Sequence, residues 1–121
     1  MKMIEHYREV LSLAERVGAT DATDAAAKAL KCGLAAAECK RRGAVMEHQR
    51  KALQTQMRDA LMAADDKLKA SPAEAQVRAS EPYIAYCNEA AEWVELGEKL
   101  REYATYFQVL TGIFAGEVAN V

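Results

Sequence analysis

The sequence predicts an all-α protein, with a short N-terminal helix followed by a long, coiled-coil-like antiparallel hairpin of two helices. Helix-forming residues dominate the composition, and only two prolines and six glycines occur among 121 residues. Aromatic residues make up 7% of the chain, which disfavours a sandwich or barrel of strands. Two apolar repeats with alternating steps of three and four residues run through most of the chain, so long amphipathic helices are expected.

Length and boundary signals predict one helical domain. A chain of 121 residues lies in the size range of a single domain. The elements that we expect are a helix over 1–17, a long helix over 22–69, a bend over 70–82, a second long helix over 83–115 and a tail over 116–121.

The first helix is predicted from a short apolar repeat. Its members are Met3, Tyr7, Val10, Ala14 and Val17, and they lie on one helical face. Gly18 follows where a helix commonly ends. Candidate N-caps for the next helix are Thr20, Asp21 and Thr23. A turn and a restart are therefore expected between Gly18 and Asp24.

The long second helix is predicted from a seam of five heptads without an intervening proline. The seam consists of Ala29, Cys32, Ala36, Cys39, Gly43, Met46, Arg50, Leu53, Met57, Ala60 and Ala64. The side chains of its first half are so small that a partner helix must approach closely. Arg50, the only polar member, is expected either to fix the register or to reach a partner. A break into two helices near Gly43 is the alternative.

Ser71-Pro72-Ala73-Glu74 has the form of a capping box, with proline at the first helical position. Pro82 interrupts the chain again, so Pro72 to Ala79 forms either a short helix or part of the bend. The seam of the last helix consists of Tyr83, Tyr86, Ala90, Trp93, Gly97, Leu100, Ala104, Phe107, Thr111 and Phe114. With 72–79 in the turn, the layers pair Met57 with Ala90, Leu53 with Trp93, Met46 with Leu100 and Gly43 with Ala104. A shorter turn would shift every pair.

The charge distribution favours pairing of the two long helices. Residues 24–70 contain ten Lys and Arg against six Asp and Glu, and residues 71–121 contain three against eight. The basic residues that we expect to meet acidic residues of the last helix, in the same chain or across a dimer, are Lys40, Arg41, Arg42, Arg50 and Lys51. The same five residues are the candidates for contact with nucleic acid or a partner. The net charge of −2 provides no general attraction for nucleic acid.

The aromatic residues of the last helix predict a second contact surface. They are Tyr83, Tyr86, Trp93, Tyr103, Tyr106, Phe107 and Phe114, and they lie on more than one side of the helix. One side would face the hairpin partner and the other a second subunit or a partner protein. The first helix is too short to cover the flank of the hairpin, so a homodimer is expected.

The sequence lacks the usual motifs for catalysis, phosphate binding and metal binding. It contains no Gly-x-Ser-x-Gly, no phosphate-binding glycine loop and no Glu-x-x-His pair. Cys32, Cys39 and Cys87 are expected to be reduced, small apolar residues. We therefore expect no catalytic residue, cofactor, metal or small-molecule substrate. No run of about 18 apolar residues occurs, so we expect a cytoplasmic protein without a membrane partner.

The order of helices resembles small helical-hairpin proteins of tailed bacteriophages, which are encoded among early or recombination genes. The segments that carry the resemblance are Tyr83-Ile84-Ala85-Tyr86, Ala90-Ala91-Glu92-Trp93 and Tyr106-Phe107-Gln108-Val109-Leu110. The resemblance implies a non-enzymatic accessory protein, located in the host cytoplasm, that acts on DNA-processing or defence machinery. It implies no site residues.

Three functional hypotheses follow from the sequence. The first is an accessory or inhibitor protein whose rigid hairpin binds a host or phage protein. The second is a DNA-associated protein that uses the basic residues of the long helix. The third is a purely structural coiled-coil spacer.

Overall fold

A computed structural model describes residues 2–119 and confirms the all-α prediction. Within that range every regular element is an α-helix. The helices are α1 (Met3–Arg16), α2 (Ala22–Ala64), α3 (Ala70–Ala79) and α4 (Glu81–Ala119). Of the predicted tail, 116–119 continue α4, whereas residues 120 and 121 lie outside the described residues, as does residue 1 of the predicted first helix.

The start of α2 is defined by two hydrogen bonds that both involve Asp24. The Asp24 backbone N–H donates to Asp21 Oδ1 at 2.7 Å, so Asp21 is the N-cap among the three candidates. The Thr20 backbone N–H donates to Asp24 Oδ2 at 2.9 Å. Lys28 Nζ also contacts Asp24 Oδ2, at 2.7 Å. The Asp24 carboxylate therefore lies in the first turn, where the helix dipole favours negative charge.

The second helix is continuous through Gly43, so the alternative of a break there is wrong. It ends at Ala64, five residues before the predicted boundary, because Asp65 starts a tight turn. Asp65 Oδ1 accepts a hydrogen bond from the Lys67 N–H at 3.0 Å, and the Leu68 N–H donates to the Asp65 carbonyl at 3.1 Å. The chain therefore reverses direction within 65–69.

Of the two alternatives for Pro72 to Ala79, the short helix is confirmed, because most of the predicted bend over 70–82 forms α3. The helix begins at Ala70, before the predicted cap Ser71, and Pro72 occupies its third position. A proline in the first turn removes no intrahelical hydrogen bond, since the first such bond runs from the Ala73 N–H to the Lys69 carbonyl at 3.1 Å.

A break at Ser80 separates α3 from α4. A continuous helix would place the Pro82 ring against the carbonyl of residue 78, and Pro82 has no N–H to donate. The Ser80 N–H and Oγ both donate to the Val77 carbonyl, at 3.0 and 2.7 Å. The Ser80 carbonyl accepts from the Ile84 N–H at 3.0 Å, which starts α4.

The described chain divides into two compact units, and the single helical domain stays a prediction. The first unit comprises the described residues of 1–41 and 93–121, and the second comprises 42–92. The long helices α2 and α4 each contribute residues to both units. The boundaries between the units, at 41/42 and 92/93, fall inside α2 and α4.

In the first unit α1 packs on parts of α2 and α4. Val10 of α1, Cys32 of α2 and Phe107 of α4 line a small cavity of about 160 Å³. Phe107, Leu100 and Cys39 are fully buried in this core. The small residues of the seam allow the close approach of helices that the sequence predicts. A Cβ atom added at Gly97 of α4 would lie 3.3 Å from the Ala36 carbonyl oxygen of α2.

In the second unit α3 and the start of α4 pack against the end of α2. Its buried residues include Ala73 and Val77 of α3 and Tyr83 and Ala90 of α4. Arg58 Nη1 of α2 contacts Glu74 Oε1 of α3 at 3.1 Å. Helix α3 packs along α2 and is not part of the turn. Each residue of α4 therefore lies opposite a residue of α2 with a lower number than the sequence predicts.

The four predicted layers are therefore wrong. Ala104 lies opposite Gly33, with 3.9 Å between the Ala104 Cβ and a Cβ built on the glycine, and not opposite Gly43. Met46 accepts a hydrogen bond from Tyr86 within the second unit, at 2.7 Å, and is not the partner of Leu100. The predicted pairs Leu53–Trp93 and Met57–Ala90 depend on the same register and are therefore wrong as well. The physical reason is the shorter turn at 65–69, which shifts every pair in the same direction.

Candidate protein-binding surfaces

Arg41, one of the predicted basic contact residues, is engaged by its own helix. Its Nη2 lies 2.6 Å from Glu38 Oε1, and its Nε donates to Glu38 Oε2 at 3.0 Å. This bidentate pair raises the pKa of Arg41, because hydrogen bonding to Glu38 stabilises the charged guanidinium. Much of the Arg41 charge is therefore neutralised locally.

Arg50 joins α2 to α4 within the second unit. Its Nη1 donates to the Tyr83 hydroxyl at 3.1 Å, and its Nε donates to Glu47 Oε1 at 2.9 Å. The hydrogen bond to Tyr83, followed by that to Glu47, raises the pKa of Arg50. Of the two roles expected for Arg50, these contacts favour the fixing of helix register.

The five predicted basic residues do not form one free cationic cluster. Lys40 and Lys51 are exposed and Arg42 is half-buried. Lys40 belongs to the first unit with Arg41, whereas the other three belong to the second. Two exposed lysines in different units provide a weak footprint for nucleic acid.

Three of the seven predicted contact aromatics belong to the core, so their assignment to a dimer or partner face is wrong. Trp93 is 4% exposed, Tyr83 6% and Phe107 0%. The Trp93 ring packs edge-on against Tyr7 of α1, with 5.6 Å between ring centroids. These side chains fill the space between helices of one chain and are unavailable to a partner.

The other four aromatics differ in exposure. Tyr86, Tyr103 and Phe114 are half-buried, whereas Tyr106 is 51% exposed. The Tyr86 hydroxyl donates to the Met46 carbonyl at 2.7 Å, and burial raises the pKa of Tyr86. Of the seven aromatic residues predicted to contact a second subunit or a partner, mainly Tyr103 and Tyr106 remain candidates.

Tyr103 and Tyr106 line a cleft of about 510 Å³ between the end of α1 and α4, which we name the aromatic groove. Its lining residues are Ala14, Glu15, Arg16, Val17, Gly18, Glu102, Tyr103 and Tyr106. The Tyr106 ring lies 6.4 Å from Tyr103 and 5.2 Å from the buried Phe107, in both cases edge-to-face. These ring contacts hold an exposed aromatic side chain in place.

The aromatic groove is acidic. Glu15 and Glu102 line it, and the one lining cation, Arg16, uses its Nε to donate to the Ser12 carbonyl at 3.3 Å. Lys99 pairs with Glu95 at 3.0 Å. The pKa of Lys99 is raised by Glu95 and, to a smaller extent, by the charges of Glu15 and Glu102. The carboxylates of both helices therefore contribute negative potential here.

A second cleft of about 430 Å³ lies between α2 and α4 in the first unit, and we name it the apolar groove. Its lining residues are Ala26, Ala29, Leu30, Gly33, Leu34, Gln108 and Thr111. None of them is ionisable. Leu30 and Leu34 are each 64% exposed, and the Thr111 hydroxyl is satisfied by the Phe107 carbonyl at 2.8 Å.

Sequence reasoning missed the apolar groove because Leu30 and Leu34 lie outside the predicted seam. A second apolar repeat was present in the sequence at positions 26, 30, 33, 34 and 37. One helix can carry two apolar stripes when it contacts two neighbours. This second repeat is the sequence pattern from which the apolar groove could have been predicted.

The described residues contain few groups that are arranged for metal binding or nucleophilic catalysis. Residues 2–119 contain no group of three or more His, Cys, Asp or Glu that could hold a metal ion. Cys32 and Cys39 are buried, and burial raises the pKa of the Cys32 thiol, which disfavours the nucleophilic thiolate. In the same part of the chain, no helix is both long enough and apolar enough to span a bilayer.

The chain matches no protein-family model, no curated protein and no solved structure. The functional proposals below therefore depend on the two grooves and on the chemistry of their lining residues.

Proposed function

We propose that this chain is a non-enzymatic accessory protein that acts by binding other polypeptides, and that it works as a homodimer with coiled-coil-like helix packing. The observation that carries the proposal is the apolar groove, where two large aliphatic side chains are exposed beside small residues. Burial of a leucine side chain stabilises a complex by about 1.5–3 kcal/mol, so Leu30 and Leu34 favour association.

A second copy of the chain suits the apolar groove. A twofold interface requires a patch that is complementary to itself. The groove provides projecting side chains, Leu30 and Leu34, next to a depression formed by Ala26, Ala29 and Gly33 on the same helix. Since no lining residue is charged, pairing of two such patches opposes no like charges.

The resemblance to helical-hairpin proteins of tailed bacteriophages supports a role in phage infection. On that basis the partner is a host or phage protein of the DNA-processing or defence machinery, and the site of action is the host cytoplasm. The engagement of Arg41 and Arg50 by carboxylates favours this protein-binding function over binding of DNA.

The homodimer is tested by Leu34→Glu, with Val94→Glu as the matched control. Val94 is 45% exposed on α4 but does not line the apolar groove. Sedimentation equilibrium should detect a dimer for the wild type and the control and a monomer for Leu34→Glu, because a buried unpaired carboxylate opposes association. Circular dichroism verifies that all three proteins stay helical. A wild-type monomer at all concentrations, or a dimeric Leu34→Glu variant, would refute the homodimer.

A further inference from the structure

An exposed apolar line runs along α4 from the aromatic groove. Its members are Tyr106, Val109 and Ile113, spaced three and four residues apart and therefore on one face of the helix. Their exposed fractions are 51%, 57% and 50%. This spacing is the one that presents anchors to another helix.

Tyr106 is suited to be the central anchor of a docking surface. Its ring is held by edge-to-face contacts with Tyr103 and the fully buried Phe107. A rigid aromatic ring loses little conformational entropy on binding, and tyrosine is enriched among the residues that dominate interface energies. Half of the Tyr106 side chain is available for contact.

The charges around Tyr106 select the partner. Glu15 and Glu102 line the groove, and Glu98 is exposed on α4 about two turns before Tyr106. Arg16 is turned toward its own helix by the bond to Ser12. An acidic partner would meet carboxylates, whereas a lysine or arginine would gain ion pairs and a cation–π contact with the tyrosine ring.

The apolar groove, which we assign to the dimer, is not complementary in charge to the aromatic groove. A second copy of the chain would therefore not bind the aromatic groove through that surface. The apolar groove carries no ionisable residue and therefore offers no cation to Glu15 or Glu102. The occupant that suits both the apolar line and the acidic border is a different helix with one apolar face and basic flanks.

We propose that the aromatic groove and the adjoining apolar line bind a basic amphipathic helix of a partner protein. This proposal rests on the proposed function, since it names the chemistry of the polypeptide that the accessory protein binds. Tyr106 contacts the apolar face of the partner helix, and Glu15 and Glu102 pair with its lysine or arginine side chains.

The probe is a fluorescein-labelled helical peptide of 14 residues made of Leu and Lys, with Leu on one face. A second peptide has Glu in place of every Lys. Fluorescence anisotropy should show binding of the Leu/Lys peptide alone, weakened at high salt because exposed ion pairs are screened. Tyr106→Ser should weaken binding about tenfold, as expected for an interface anchor. Glu102→Gln should weaken it about threefold and reduce its salt dependence.

Two control variants match these changes outside the surface. Val94→Ser truncates another exposed apolar side chain of α4, and Glu89→Gln removes a carboxylate from the second unit. Both should bind the Leu/Lys peptide as the wild type does. The proposal is overturned by no binding, by equal binding of the Leu/Glu peptide, or by equal effects of Tyr106→Ser and Val94→Ser.

Measurements on Leu34→Glu separate this proposal from the homodimer. Peptide binding by that variant should equal binding by the wild type, whatever its oligomeric state. Failure of the dimer test with intact peptide binding refutes the homodimer alone. Dissociation of a wild-type dimer by Tyr106→Ser, without loss of peptide binding, would show that a second copy occupies the groove and would overturn the present proposal.

Discussion

The Arg50 guanidinium donates a hydrogen bond to the hydroxyl of Tyr83, 33 positions away in the sequence, with 3.1 Å between Nη1 and the hydroxyl oxygen. The contact joins α2 to the first turn of α4 inside the second unit. Tyr83 is buried, and its hydroxyl accepts this hydrogen bond in a part-buried position. The pair therefore fixes the position of α4 along α2, and removal of either member should lower stability.

Tyr83→Phe should lower the free energy of unfolding by about 1 kcal/mol, because the ring remains and only the hydrogen bond is lost. Urea unfolding of Tyr83→Phe, Arg50→Leu and the double variant measures the coupling between the two residues. A coupling of about 0.5–1.5 kcal/mol is expected. Additive effects of the two substitutions would contradict the role of this bond.

Gly97→Ala and Gly112→Ala should have opposite effects, although both glycines lie inside α4. A Cβ at Gly97 meets backbone atoms of α2 at 3.3 and 3.4 Å, whereas a Cβ at Gly112 meets nothing within 4 Å. Alanine favours a helix over glycine by about 1 kcal/mol, so Gly112→Ala should stabilise the protein by up to that amount. Separation of the two helices should make Gly97→Ala destabilising by about 1 kcal/mol or more. Equal shifts of the urea midpoint would contradict the close approach at Gly97.

The N-cap region of α2 should make stability depend on acidity. Hydrogen bonds from Lys28 and Thr20 lower the pKa of Asp24 below its ordinary value of 3.8. The folded state therefore favours the carboxylate. Its stabilising contribution is complete well above pH 3.8 and is lost as the pH falls through the lowered pKa.

Asp24→Asn should accordingly reduce the loss of stability on acidification. The measurement is the thermal unfolding midpoint of the wild type and the variant from neutral pH to the acidic range. The two midpoints should converge as Asp24 becomes protonated. Parallel curves over the whole range would exclude a contribution from this carboxylate.

The basic residues of α2 should not support binding of DNA. Arg41 and Arg50 are paired with Glu38 and Glu47 on their own helix. A gel-shift titration with duplex DNA at about 50 mM salt, where phosphate contacts are strongest, should show no complex. A complex that Lys40→Gln together with Lys51→Gln abolishes would revive the DNA-associated hypothesis.

The helical secondary structure and most core positions could be predicted from the sequence, because three-four spacing determines which residues share a face. The seam residues Cys32, Cys39, Trp93 and Phe107 are indeed buried. The register could not be predicted, because it depends on where the chain reverses. Asp65 and Pro72 are both compatible with a turn, and only the packing of α3 on α2 distinguishes them.

The candidate sites could be predicted only in part. Tyr103 and Tyr106 were assigned to a contact surface from their place on α4, and the structure leaves Tyr106 exposed. Trp93 and Phe107 were assigned to the same surface, although α1 and α2 cover them. Periodicity places a residue on a face of its own helix, but the number of helices that pack around that face is a tertiary property.

The break at Ser80 separates two hydrogen-bonded ladders. The last bonds of α3 end on the Val77 carbonyl, and those of α4 begin with the Ile84 N–H. Helical order spreads through continuous ladders, so fraying that starts at the 65–69 turn has no backbone route into α4. Amide hydrogens of α3 should accordingly exchange with deuterated solvent sooner than those of α4.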